Sequence, residues 1–479
     1  MSNSPASPPA QDLSSAILGR TFPAHACFPQ LKTASDSALM LDLFRKHLKP
    51  VSALNFHFEE CLPVRFRWRS DGSHCVLQYE LQLGANGNWH PPNLWVTAFI
   101  YPRSDEAEAA WEKQAAACNP RPSSNTPWLF EPLAFIPEFN MLAHIFPYDR
   151  LLPNLPEIVS GPWLELQQRL LRCFGPGQWQ MEQQTVEPLR YLAEDSAVIR
   201  YALRASNTAD ARSETRRFYA KAYRTRYGEQ IGQILQQVHQ KTAGSETAFT
   251  VVEPLFYCPQ RRCLVLAEAP GRSLQDLLMA GGERDTIAAA RRVARALAAF
   301  NKMDLTLTVS HSAEEQIGFL KRAAELLCWA CPDSSSIIEA AVKSVSSGLR
   351  DVAHVPIHWD LKTDHIFWDG DRVLFIDLDT ISLGDPARDP AHLAAHIAGR
   401  IDVPEMGAEL AHATAGALVQ EYFSQVPASW HQQFDLQFLI ALVEGACGLF
   451  KRQEPRWAER AATVLQDVER VLTGELRLS

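Results

Sequence analysis

A single β insertion interrupts an otherwise helical C-terminal half. Residues Ile357–Asp379 read "IHWDLKTDHIFWDGDRVLFIDLD". Two runs of β-type residues, "HIFWD" and "RVLFIDLD", flank the turn signal Asp369-Gly370-Asp371, which predicts a hairpin. Around it, 285–303, 313–331, 335–349 and much of 391–475 repeat apolar residues at helical spacing. The insertion brings two aspartates, Asp360 and Asp377, and a histidine, His365, into one short stretch.

Composition narrows the classes of partner. With a net charge of -9 over 479 residues and a pI near 5.9, a general nucleic-acid or anionic-membrane binder is not expected. The basic runs, "ARRVAR" (Ala290–Arg295) and "RFYAKAYRTR" (Arg217–Arg226), are short enough to be faces of single elements. No apolar run approaches membrane-spanning length, and the start, "MSNSPASPPAQDLSS", lacks the basic and apolar regions of a secretory signal. Residues 1–20 read as a disordered tail. Ten scattered cysteines make no disulfide framework, so a cytoplasmic location is expected. The pair in "CWAC" (Cys328, Cys331) has redox or zinc half-site spacing, but it falls late in a helical pattern with no second half-site nearby.

Residues from about 187 to 268 are β-rich. "AVIRYALRA" and "RRFYAKAYR" read as paired strands, a helix follows over Gly228–Gln240, and "AFTVVEPLFYCPQRRCLVLAEAP" reads as two further strands. "LAEAPGRSLQDLL" (Leu266–Leu278) then forms a hinge whose Pro270-Gly271 turn feeds a helix. This stretch has an echo upstream. "LFEPLAFIPEFNMLAHIFP" (Leu129–Pro147) resembles "VVEPLFYCPQRRCLVLAEAP" (Val251–Pro270), with Glu131 matching Glu253 at an offset of 253 - 131 = 122. At that offset "WVTAFIYP" (Trp95–Pro102) falls on "RFYAKAYR", so Phe99 stands where the second copy has Lys221. "PVRFRW" (Pro63–Trp68) pairs with "VIRYAL" (Val198–Leu203) at an offset of 135, with Arg65 on Arg200. That match places thirteen extra residues, 135 - 122, in a longer loop over 69–93 of the first copy. The expected organisation is a tail (1–20), a degenerate copy of the small lobe (21–155), a linker (156–186), a small lobe (187–268) and a helical large lobe with the catalytic loop (269–479). Without the lysine, the first copy is expected to be a structural, substrate-gating or homodimer-forming domain.

The motifs "HWDLKTDH", "FIDLD" and "LGDPARD" carry a resemblance. From about Glu187 onward the chain resembles the aminoglycoside phosphotransferase/choline kinase-like family, whose fold is protein-kinase-like. Its signature is His-Gly-Asp with an amide residue five positions after the Asp, then Ile-Asp, then Gly-Asp-Pro and another Asp. The resemblance implies an α+β, two-lobed protein-kinase-like fold, here preceded by the degenerate duplicate. It implies ATP-dependent transfer of a phosphoryl group to a hydroxyl of a small-molecule acceptor such as a sugar, aminoglycoside or amino alcohol. The cofactors implied are ATP and Mg2+, with Mn2+ as the alternative ion.

Phosphoryl transfer asks a protein mainly for positioning and charge neutralisation. Asp360 is the candidate to orient and deprotonate the attacking hydroxyl. Asp377, fixed behind the apolar run "RVLFI", is the candidate metal ligand, and Asp379 would share its face as a second contact. Lys221 lies in an alternating strand, where a buried charge needs a partner; the family's Lys–Glu pair assigns that role to Glu229, with Glu214 as a neighbour, and the lysine to phosphates. By the same resemblance Ser196 would donate to phosphates and the backbone from Ala267 to Ala269 would hold adenine. His358, Asp385 and Asp389 read as bracing residues, while Trp359 and Asp364 are placed to touch acceptor.

Two departures stand out. The phosphate-covering stretch "YLAEDSAVIRY" has no glycine, and Glu194-Asp195 would bring carboxylates towards phosphates. His365 occupies the amide position, and imidazole suits transition ions better than magnesium. Three readings of His365 stand: a metal ligand, a brace for Asp360, or the mark of an inactive site. The last would make the chain a pseudokinase-like binding or regulatory protein. Acidic residues of the helical third, Glu405, Glu409, Glu421 and Glu444, would favour a cationic acceptor if they face it.

Overall fold

The computed structural model describes residues 22–51, 56–69, 72–85, 94–118, 129–210, 212–244 and 247–478. The expected tail therefore lies outside the described residues. After α1 (Leu31–Ala34) and α2 (Ser37–His47), the first lobe runs β1 (Phe56–Trp68), β2 (Cys75–Ala85), β3 (Leu94–Ile100), α3 (Ser104–Ala117), β4 (Leu133–Ile136) and β5 (Met141–Ile145). α4 (Leu155–Val159) and α5 (Leu164–Arg172) lead into β6 (Trp179–Leu192), β7 (Ser196–Asn207) and β8 (Ser213–Tyr223). Then come α6 (Tyr227–Thr242), β9 (Phe249–Val251), β10 (Pro254–Cys258) and β11 (Cys263–Ala267).

The two sheets have the same strand order, β1-β2-β3-β5-β4 and β6-β7-β8-β11-β10. Their registers also coincide. Phe99 pairs with Val76 and Leu142, whereas Lys221 pairs with Val198 and Leu264. The differences 221 - 99, 198 - 76 and 264 - 142 all equal 122. The duplication is real, but one of its sequence matches is corrected. The stretch read as a long loop contains β2, "CVLQYELQLGA", a full strand at the common offset. Pro63–Trp68 belongs to β1, whose counterpart is β6, so Arg65 and Arg200 are not equivalent; Arg200 pairs with Glu187 on β6. The stretch read as a linker likewise holds α4, α5 and the start of β6.

The large lobe follows as α7 (Leu274–Ala280), α8 (Glu283–Asn301), α9 (Ala313–Ala330) and α10 (Ser335–Gly348), then β12 (Val355–Ile357), β13 (Ile366–Asp369), β14 (Arg372–Phe375) and β15 (Ser382–Gly384). It ends in α11 (Arg388–Ala398), α12 (Ala408–Ser424), α13 (Phe434–Lys451) and α14 (Trp457–Leu472). Ser273 and Ser312 start α7 and α9 with reciprocal capping boxes to Asp276 and Glu315, each worth about 1 kcal/mol. The hinge turn needs Gly271: its φ is +76°, and a Cβ there would lie 3.1 Å from the Trp368 carbonyl oxygen. The hairpin β13–β14 forms as expected, and β14 pairs in parallel with β9, tying the lobes together through Phe249, Thr250 and Val251.

The first lobe packs in cis. Phe22 and Phe66 meet Trp329 of α9 and Phe450 of α13, with ring centroids 5.2–6.1 Å apart. No described helix is long and apolar enough to cross a membrane. Cys328 lies in the last turn of α9 and Cys331 is the residue that ends it.

Candidate active site

Lys221 lies near the end of β8, with its ammonium against the large lobe. Its Nζ lies 2.5 Å from Asp377 Oδ1 and 2.7 Å from Asp379 Oδ2. Burial works against its charge, but the two carboxylates outweigh burial and raise its pKa. These are the lysine's ion partners. Glu229, expected in that role, sits on α6 without bonding to Lys221, and its charge is felt instead by Tyr257. The interlobe pairing of β9 with β14 brings the aspartates to the lysine before α6 can supply a partner.

Asp377 adopts the left-handed region (φ 59°) at the start of a short 3-10 turn, Leu378–Thr380. Burial pushes its pKa up, yet Lys221, His365 and Arg190 pull it well below the usual range. Arg190 reaches it from β6 at 3.3 Å. Asp379 moves the other way: burial and the Asp377 charge raise its pKa against the pull of Lys221. The Tyr223 hydroxyl donates to Asp379 Oδ1 at 3.0 Å and the Tyr227 hydroxyl to its carbonyl at 2.8 Å.

His365 is 4% exposed, and burial lowers its pKa, so the ring is neutral at pH 7. Its Nδ1 donates to the Asp360 carbonyl at 2.9 Å. That bond fixes the tautomer and leaves the Nε2 lone pair facing Asp377 Oδ2 and Asp364 Oδ1, each at 3.6 Å. His365 therefore bonds the backbone of Asp360 and not its carboxylate. The Asp360 carboxylate accepts from Lys362 Nζ at 2.7 Å and lies 3.5 Å from His392 Nε2 on α11. Burial would raise its pKa, but Lys362, His392 and His365 together hold it well below the usual range.

The surrounding braces account for this placement. His358 Nε2 donates to the Ile376 carbonyl at 2.9 Å, tying the Asp360 loop to the Asp377 turn. Asp389 accepts from the amides of His358 and Trp359 and from Asn301, while Asp385 accepts from Ala387, Gln433 and Gln437. Trp359 stands where the family signature has glycine, at φ 73°, a conformation that costs a bulky residue about 1–2 kcal/mol. Its indole packs on His311 at 4.1 Å and under the Arg388 guanidinium at 4.7 Å.

A cleft of about 440 Å³ is lined by Ser196, Lys221, Ala267, Ala269, Asp360, His365, Asp377 and Asp379, which are all the expected site residues except Glu229. The Ala267 amide donates to the Glu253 carbonyl, and the Ser196 hydroxyl lies 3.4 Å from Asp195. Glu194 answers half of the first departure, since Asp195 still lines the cleft. Glu194 turns out of the cleft, 2% exposed, and its carboxylate meets Arg67, Arg69 and Arg150 of the first lobe and the segment after it. Its amide donates to Asp149, which also accepts from the Tyr191 hydroxyl.

Lys362, Arg190, His392 and Tyr223 went unseen in the sequence. Only Lys362 had a local signal, two residues after Asp360. The acidic residues of the helical third do not make an anionic pocket: Glu421 is paired with Arg295 and Glu444 with Arg388, while Glu405 and Glu409 are exposed.

Two carboxylates and an imidazole lone pair facing one cleft suit a divalent cation, and the Lys221 ammonium already marks the cation position between Asp377 and Asp379. With the lysine there, no three His, Cys, Asp or Glu side chains gather closely enough to hold an ion among the described residues.

No curated protein matches the chain. Among solved structures, a thermostable mutant of an aminoglycoside phosphotransferase is 14% identical, with 64% of this chain and 98% of that chain covered at a TM-score of 0.41. A choline/ethanolamine kinase family protein from Mesorhizobium loti is 10% identical, covering 60% and 87% at 0.37. A choline kinase from Cryptosporidium parvum Iowa II is 9% identical, covering 61% and 89% at 0.39. The model of the phosphotransferase enzyme family matches residues 183–426, or 426 - 183 + 1 = 244 of the 479. With that span enclosing the cleft, the hinge and the hairpin, the chain belongs to the phosphotransferase enzyme family.

Proposed function

We propose that the chain is an ATP-dependent phosphotransferase acting on a hydroxyl of a small molecule, with the cleft of Lys221 and Asp377 as its active site. One observation carries this reading: a small-lobe ammonium meets two large-lobe carboxylates in a cleft that also holds the ionised Asp360. Asp360 accepts the proton of the attacking hydroxyl. Its low pKa keeps it a carboxylate at neutral pH; Lys362 bonds one of its oxygens and His392 lies beside the other. Lys221 exchanges its carboxylate partners for nucleotide phosphates, and the backbone from Ala267 to Ala269 faces the adenine. Ser196 lies at the start of β7 beside the phosphates. A divalent cation, Mg2+ or Mn2+, held by Asp377 with Asp379 and His365 would neutralise phosphate charge. His365 braces the Asp360 backbone through Nδ1 and would present Nε2 to that cation.

Thermal stabilisation by ATP and GTP tests the proposal, each with EDTA, Mg2+ or Mn2+, on the natural protein and on Asp377→Ala. Stabilisation that requires metal and is lost in Asp377→Ala is expected. A flat response in every condition would overturn the nucleotide reading.

A further inference from the structure

A second cavity, of about 710 Å³, lies outside the cleft just described. One wall is β1 and β2 of the first lobe, another is α9, and the end of α13 contributes Lys451. Four cations line it, Arg65, Arg67, Arg322 and Lys451, against two acids, Asp195 and Glu325. Between the cations lie the indoles of Trp68 and Trp329, with ring centroids 5.7 Å apart. Arg67 already shares Glu194. Arg65 has no hydrogen bond or ion pair among the described residues. Burial and the charges of Arg190, Arg452 and Arg67 depress its pKa to about 10. Its side chain is half-buried in the cavity wall, and an anion bonded to a partly desolvated guanidinium offsets that desolvation.

The cavity abuts the active-site cleft at one turn, and a series of ring contacts runs from it towards the residue before Asp360. Leu192 and Asp195, in the turn that covers the phosphates, line both spaces. Along α9, Arg322 stacks on Phe319 at 4.7 Å, and Phe319 meets Trp359, the residue before Asp360, at 5.8 Å. A phosphotransferase needs a second ligand beside its phosphate-covering turn, distinct from the nucleotide.

We propose that this cavity holds the acceptor, and that the acceptor is an organic anion carrying a flat ring, its carboxylate or phosphate on Arg65 and Arg322 and its ring against Trp68 and Trp329. This rests on the phosphotransferase reading and makes it more specific. The degenerate lobe thereby becomes a wall of the acceptor site, and the excess of positive charge disfavours a cationic acceptor.

Isothermal titration of the full chain with one ring in three charge states tests this: 4-(hydroxymethyl)benzoate, benzyl alcohol and 4-(aminomethyl)benzyl alcohol, with phenyl phosphate as the phosphate arm. Each is titrated with and without the non-hydrolysable ATP analogue AMP-PNP and Mg2+ or Mn2+. One or both anions are expected to bind about ten-fold or more tighter than the neutral and cationic rings, the scale of one charge-assisted hydrogen bond, and to bind alongside AMP-PNP. Arg65→Met and the surface change Arg322→Ala should each weaken the anion about ten-fold while AMP-PNP still binds. Equal binding of the neutral ring, displacement of the anion by AMP-PNP, or undiminished anion binding in both variants would overturn the proposal. So would ATP consumption stimulated by hydroxylated amines and not by hydroxylated anions. Failure of the nucleotide reading shows separately, as no AMP-PNP binding with any metal.

Discussion

His365 presents nitrogen where the family signature presents an amide, and its surroundings turn that exchange into a measurable preference. The Nδ1 proton is committed to the Asp360 carbonyl, so only Nε2 is available towards Asp377. Nitrogen ligands favour transition ions over magnesium. His365→Asn should therefore raise the ratio of Mg2+- to Mn2+-supported activity by about ten-fold, close to 1.4 kcal/mol. Metal titrations of initial rate on both proteins read this ratio, and an unchanged ratio would remove His365 from the metal. Asp360 and Asp377, at fixed spacing within short motifs, and Lys221, in an alternating strand, could be expected to share the one cleft they line. Glu229 was misassigned because a lysine's counterion is decided by which lobe surfaces meet, which local spacing does not encode. His392 lies 32 residues beyond Asp360 (392 - 360) and reaches it through the packing of α11, so no sequence window held both.

At the level of elements, the turn between β6 and β7 is governed from outside its own sheet. A glycine-rich turn would bend over phosphates by backbone freedom; this one has Glu194 at φ 62°, anchored by Arg67, Arg69 and Arg150. The first lobe thus holds the turn through a carboxylate. Glu194→Ala should lower stability by about 1–2 kcal/mol, since the arginines keep partial access to water, and raise the KM for ATP several-fold with a smaller change in kcat. Chemical denaturation and steady-state kinetics separate the two effects; an unaltered KM would leave the anchor purely structural. β2 was missed although "CVLQYELQL" alternates cleanly, because "PVRFRW" alternates equally well and alternation alone does not set register. The helices were easier to read, since long 3.6-residue periodicity admits fewer alternatives.

Across the whole molecule, one apolar core runs from Phe22 through α9, α13 and α14 to Leu476, so first lobe and large lobe share an interior. Buried neutral histidines set its acid limit. Burial, followed by the Arg150 charge, lowers the His144 pKa to about 3, and burial, followed by His396, lowers that of His392. Below pH ~6.5 the unfolded chain takes up protons that these folded sites refuse, so stability falls as pH drops, by about 1.4 kcal/mol per pH unit for each such histidine. The depressed Asp360 acts only at lower pH, while the raised carboxyls of Asp379 and Asp385 oppose the histidines by taking up protons on folding. His144→Leu, which installs the residue found 122 positions later at 266, should flatten the fall of Tm with pH by one proton's worth; an identical slope would contradict this. Phe99 is the last consequence of the duplication. Lys221 is tolerated in its sheet because carboxylates arrive from a different lobe, whereas Phe99 is enclosed by Val76, Leu133, Leu142 and the His144 ring. A lobe without its acidic companion would leave a cation at this position with no counter-charge, and an aromatic ring fills the same place at no such cost.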